Sequence, residues 1–133
     1  MEGIKGPKAV TLPIHKTKGG QIMAAGADIL NGFQCHFIYA YAYTEGITGM
    51  STKPHVHDYD EAIFFMGSDP QNFEDLGATV EFAIGANEEE KFTFDKATAV
   101  VVPKGVPHCP MRTLKIEKPY LCMAVSLTAR RED

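Results

Sequence analysis

The sequence has no apolar run approaching the roughly 20 residues that a membrane-crossing helix requires. It has no basic excess either: 13 Lys and Arg against 17 Asp and Glu leave a net charge of -4. Without a positive surface field, nucleic acid is not an expected partner. Cysteine is scarce. Cys35, Cys109 and Cys122 are odd in number and form no C-x-x-C pair, which excludes a disulfide framework or a zinc knuckle and points to free, buried thiols. The opening Met1-Glu-Gly-Ile-Lys-Gly-Pro7 lacks the hydrophobic stretch of a signal peptide, so the cytoplasm is the expected compartment and no membrane is expected as partner. Repeats, heptads and low-complexity segments are missing too.

What is present is ordinary in bulk and unusual in one place. An apolar share of 44% and a charged share of 23% over 133 residues suit one compact domain, residues 1–133, with too little chain for two. Short apolar or alternating runs recur between turn formers. An edge strand is expected near residues 9–14, followed by a Lys18-Gly19-Gly20 turn. Gln21 to Leu30 reads equally as a short helix or a strand. Gln34 to Tyr43 is a strand with Phe37, Tyr39, Tyr41 and Tyr43 on one face and Ile38, Ala40 and Ala42 on the other. Ala62 to Met66 is a continuous apolar strand, residues 67–78 a surface loop, and Thr79 to Ile84 an alternating strand. An acidic turn at Asn87 to Glu90 then leads into Lys91 to Phe94, which pairs back as a hairpin. Thr98 to Val102 is a buried strand, and Tyr120 to Leu127 the last one before residues 129–133 fray. Many short strands and almost no helix indicate an all-β sandwich or barrel.

The unusual place is Gly49 to Glu61. In a run that reads as a strand, His55, His57 and Glu61 share one face, while Asp58 and Asp60 share the other. A third imidazole, His108, follows the tight Pro103-Lys104-Gly105 turn. Three imidazoles and one carboxylate form a donor set suited to one divalent Mn, Fe, Ni, Co or Zn ion and ill suited to Ca or Mg.

These residues resemble the cupins, small jelly-roll β-barrels whose first motif reads G-x5-H-x-H-x3,4-E-x6-G and whose second reads G-x5-P-x-G-x2-H-x3-N. Gly49, His55, His57 and Glu61 match the first, with Gly67 closing it one residue early; Pro103, Gly105 and His108 match the heart of the second. Ala97 stands where the second motif opens with Gly, and Arg112 where it ends with Asn. The resemblance implies a single-domain all-β jelly-roll barrel (core about 34–127, with 1–33 as amino-terminal strands) and an inward-pointing metal site of His55, His57, Glu61 and His108. It also implies a homodimer, whose contact would be the amino-terminal strand or the Tyr-rich strand. Imidazoles must be neutral to ligate, so metal affinity is expected to fall in acid.

The other polar residues read more plainly. Asp58 and Asp60 are solvated or loop-capping, His15 is exposed, and His36 is a core or edge histidine. Cys109 lines the pocket, serves as a redox-sensitive thiol or packs inertly. Arg112 either grips a substrate carboxylate at the pocket mouth or lies exposed in a loop, and Glu88 to Glu90 form a solvated hairpin tip. No catalytic acid or base is identified; Tyr39, Tyr41, Tyr59 and Glu81 are candidates by residue type alone. The functional expectation is a small metalloenzyme of lyase, isomerase, decarboxylase or dioxygenase type acting on an oxygen-rich small molecule that chelates the metal. The alternative is a non-catalytic metal-dependent binding or sensing module.

Overall fold

A computed structural model describes residues 3–49 and 51–130. Ten strands run in order: β1 (Ile14–Thr17), β2 (Gly20–Ala25), β3 (His36–Ala42), β4 (Gly46–Thr48) and β5 (Glu61–Gly67). Then come β6 (Asp75–Ile84), β7 (Glu90–Lys96), β8 (Thr98–Val102), β9 (His108–Ile116) and β10 (Tyr120–Ser126). Among the described residues there is no helix, which settles Gln21 to Leu30 as β2 followed by turns.

The strands form two antiparallel sheets, ordered β1-β2-β3-β10-β5-β8 and β4-β9-β6-β7. From β3 onward every connection except the β6–β7 hairpin crosses from one sheet to the other. The final strand β10 inserts between β3 and β5. This is a jelly roll.

Several boundaries differ from the sequence reading. The first strand lies at Ile14–Thr17 rather than 9–14, and β6 begins at Asp75, which shortens the expected 67–78 loop. The 55–60 run is not a strand: only His55 pairs, as an isolated bridge to His108. Its alternation survives nonetheless, with His57 and Glu61 buried while Val56, Asp58 and Asp60 are exposed. Strand β8 alternates rather than being buried throughout. Strands β4 and β9 were not foreseen; β9 carries Pro110 and an irregular pattern of buried and exposed residues that hides its periodicity. The fraying expected for 129–133 falls partly outside the described residues.

Antiparallel register aligns inward-facing residues into rows across the larger sheet. One row reads Ile22–Ala40–Cys122–Phe65 and the next Ile38–Ala124–Ile63–Val100. On the β5 side the rows end in large side chains. Phe65, Leu76, Val80, Phe82, Val102 and Tyr120 are fully buried there, with Phe65 against Phe94 at 5.0 Å and against Tyr120 at 6.3 Å between ring centroids. On the β2–β3 side the inward positions include Ala40 and Ala42, while Tyr39 and Tyr41 project outward. Six strands therefore face four, and the half carrying small inward residues stays hollow.

A chain of hydroxyls crosses between the sheets beside the solid half. Thr48 bonds Thr113 at 2.7 Å, and Thr113 bonds the phenol of Tyr120 at 2.6 Å. Burial pushes the Tyr120 phenol up, opposed by its hydroxyl partners, so the phenol remains a neutral link. Removing one member strands a buried hydroxyl. Tyr120→Phe is expected to lower unfolding free energy by about 1–3 kcal/mol in urea titrations, with Thr113→Val partly non-additive to it; an unchanged midpoint would refute the link.

Candidate metal centre

The site is built by backbone hydrogen bonds that lace residues 55–60 to the 103–108 turn. His55 N donates to His108 O and His108 N to His55 O, both at 3.0 Å, and Gly105 N donates to His57 O at 2.9 Å. Asp60 caps the same turn, its Oδ1 accepting from Lys104 N at 2.9 Å. This is the loop-capping role expected of Asp60. Gly105 has φ of 81°, a left-handed conformation that favours glycine, so the turn residue is dictated by the backbone. The two histidine segments are thus neighbours in one hydrogen-bonded ladder.

This lacing gathers His55, His57 and His108, whose ligand atoms all lie within 4.8 Å of one another. Ring centroids stand 4.5 Å apart for His55–His57, 4.4 Å for His55–His108 and 5.2 Å for His57–His108. His57 and His108 are 5% and 1% exposed, and Nε2 of both His55 and His57 is buried. The spacing and donor chemistry fit a transition ion.

Two of the rings are oriented by groups behind them. Nδ1 of His108 lies 2.9 Å from the Val106 carbonyl, which only accepts, so that nitrogen carries a proton. His57 Nδ1 bonds the Tyr59 hydroxyl at 3.0 Å, and the two rings stack at 4.6 Å. Partners of this kind set ring orientation and the nitrogen offered to a metal.

Glu61 opens β5 and is 4% exposed. Its Oε2 accepts from Ser126 Oγ at 2.9 Å, and its Oε1 lies 3.2 Å from His108 Nε2. If His108 is neutral, with its proton on Nδ1, its Nε2 lone pair and the carboxylate oxygen are two acceptors face to face. A proton or a cation between them resolves that repulsion. The carboxylate is thus beside the triad and directed at one of its ligand atoms. Ser126 was not singled out from sequence, because its place next to Glu61 comes from the β5–β10 register.

A cavity of about 440 Å3 opens onto this centre, with His55 and Glu61 in its wall. Cys109 and Cys122 line it as well. Cys109 therefore both packs in the core and borders the pocket. Burial, with Cys109 and Glu61 nearby, pushes the Cys122 thiol up to about 12, so that sulfur stays protonated and is a poor ligand.

Other sequence candidates lie elsewhere. Arg112 is on β9 and does not line the cavity: its Nη1 bonds Glu88 at 2.7 Å and reaches Glu81 at 3.5 Å. Glu81 is accordingly no base for the site, and Glu88 is paired rather than merely solvated. Tyr41 and Tyr43 border the cavity, whereas Tyr39 does not. His15 is exposed, as expected, and His36 stands in the cross-strand row of Ser126 and Glu61 without joining the triad.

No protein-family model and no curated protein matches the sequence. Solved structures do match in three dimensions. Oxalate decarboxylase of Bacillus subtilis, described for its Mn(II) centres, superposes with a TM-score of 0.61 at 12% identity, covering 98% of this chain and 32% of that one. Fe(II) HppE superposes at 0.58 with 14% identity, covering 92% and 62%. Hydroxypropylphosphonic acid epoxidase from S. wedmorenis superposes at 0.56 with 16% identity, covering 86% and 55%. This chain has the cupin fold. It spans about a third of the decarboxylase chain and under two thirds of the other two. In this chain the jelly roll is what holds the histidine triad together.

The Arg112 ion pair has a pH signature. The guanidinium holds the Glu88 carboxyl below the usual carboxylate range. A folded-state pKa lowered in this way contributes stability above the unfolded pKa and loses it as pH falls through the folded one. Arg112→Gln is expected to return Glu88 to the ordinary range in carbon-detected NMR titration. Its stability deficit should be present at neutral pH and vanish in strong acid; a deficit unchanged in acid would refute the pairing as its cause.

Proposed function

We propose that this cupin is a metalloenzyme that holds one divalent transition ion on His55, His57, His108 and Glu61 and acts on a small molecule that reaches the ion through the cavity. The observation that carries the reading is the convergence of three imidazole ligand atoms within 4.8 Å next to a cavity with His55 and Glu61 in its wall. A bound ion supplies Lewis-acid chemistry, polarising a carbonyl or carboxylate oxygen. Three nitrogens and one oxygen are compatible with Mn, Fe, Ni, Co or Zn, and the similar solved structures include Mn(II) and Fe(II) proteins. The chain's own groups orient the donors: Tyr59 steadies His57, the Val106 carbonyl leaves His108 Nε2 directed at the centre, and Ser126 anchors Glu61. The surrounding apolar wall limits water.

A second reading, a metal-dependent binding module without turnover, is favoured by one observation. Glu61 is the sole carboxylate in the cavity wall among the described residues, and it is already engaged by Ser126 and His108. No free carboxylate is therefore left in the wall to act as acid or base. The proposal includes a homodimer and a cytoplasmic setting. The exposed edge strand β1 and the outward tyrosines of β3 support the first, since an uncovered sheet edge is a pairing surface.

Equilibrium dialysis of stripped protein against Zn and Mn tests the centre. Wild type is expected to take up one ion per chain. His57→Ala should lose at least about 100-fold in affinity and Tyr59→Phe about 10-fold, by the usual cost of disturbing ligands and their supports. Uptake equal in wild type and His57→Ala would overturn the site. Turnover of a chelating substrate by the loaded protein separates the enzyme from the binding module.

A further inference from the structure

The cavity wall is chemically lopsided. Its inner surface comes from the two inward rows of the larger sheet and from β9: Ile22, Ala40, Ile38, Ala124, Ile63 and Met111 all line it. None of these side chains offers a hydrogen bond. Charged groups and imidazole are confined to two places; elsewhere the wall adds neutral hydroxyls, Thr48 and Ser51 among them, and the thiols of Cys109 and Cys122. At the inner end stand His55 and Glu61; Glu61 is buried. At the outer rim stand exposed residues of the β1–β2 turn, the end of β3 and the segment after it, including Lys18, Tyr41 and Tyr43.

Charge sharpens the contrast. Lys18, exposed at the rim, is the sole cationic lysine or arginine in the wall among the described residues. Arg112, for which the sequence left open a carboxylate clamp or an exposed loop position, is committed to Glu88 and Glu81 outside the cavity. A diacid or polyol filling this space would press its outer carboxylate or hydroxyls against alkyl side chains. Each such group buried without a partner costs on the order of 1–3 kcal/mol. An apolar group in the same place gains from leaving water.

We infer that the ligand of this site is amphipathic: a compact oxygen-chelating head at the His55–Glu61 end joined to an uncharged apolar body, aliphatic or aromatic, that fills the hollow half of the barrel. The inference rests on the metal reading for the head alone. The body is specified by the wall. A cavity of about 440 Å3 falls within the roughly 300–1,000 Å3 range of small-molecule sites, so a body of ring size is accommodated beside the head. The oxygen-rich substrate expected from sequence is thereby narrowed to one whose oxygens cluster at one end.

Matched chelators test this. Acetohydroxamate and benzohydroxamate share a head and differ in body, and malonate supplies a diacid without one. Calorimetric titration into zinc-loaded protein, corrected for each chelator's affinity for aqueous zinc, is expected to favour benzohydroxamate over both others by at least about tenfold. Ala40→Leu, which fills the hollow, should erase that preference while leaving zinc uptake intact. Equal affinities, or a preference for malonate, would overturn the inference. Should the chain take up no zinc, the metal reading fails separately, and benzyl alcohol titrated into metal-free protein decides. Saturable shifts of the Ile22, Ile38 and Ile63 methyl resonances support the apolar pocket, and their absence rejects it.

Discussion

The pair of backbone hydrogen bonds between His55 and His108 is the constraint on which the centre depends. Side-chain donors alone cannot assemble a metal site, because imidazoles 53 positions apart in the chain must be brought together before any ion can hold them. Here the backbone does the assembling. The two reciprocal bonds fix His55 against His108, the Gly105–His57 bond fixes the third imidazole, and Asp60 holds the turn from the other side. The same ladder continues into the β5–β8 pairing, which sets Glu61 opposite Val102. A donor set held this way requires little rearrangement on binding, and that preorganisation is what ligand affinity rewards.

The rest of the interior divides between stability and use. Large side chains on β5, β6 and β10 pack the solid half, with Phe65 touching rings on three sides. The hollow half exists because β3 turns its tyrosines outward and its alanines inward, beneath a sheet wider than its partner. A pocket and a core are thus two ends of the same cross-strand rows. The centre lies near where they meet, with Phe82 of the core stacked beside His108 at 6.4 Å.

The clustering of His55, His57 and His108 beside Glu61 was largely legible in the chain. The alternation from His55 to Glu61 told which side chains share an interior, even though the segment pairs only at His55. The Pro103 to Gly105 turn announced where a third histidine would emerge. Strand β9 was illegible because buried and exposed residues do not alternate regularly along it, and β4 because three residues carry too little pattern. Arg112 fits neither of its two readings, clamp or exposed loop residue, for a related reason. Its position in the motif placed it near the pocket, but the strand's pleat turns it toward Glu88 on the hairpin.

By itself the sequence determined the class of fold and the chemistry of the donors, since both follow from local periodicity and residue type. Tertiary structure alone decided which neighbours complete the site. Ser126 supports Glu61 through the register of paired strands, a relation between distant segments that no local pattern encodes, while the path of each loop turns Tyr59 onto His57 and the Val106 carbonyl onto His108. It also decided that the space beside the centre is apolar and empty of guanidinium groups, because a cavity is the residue of packing between two sheets and belongs to neither sheet's sequence.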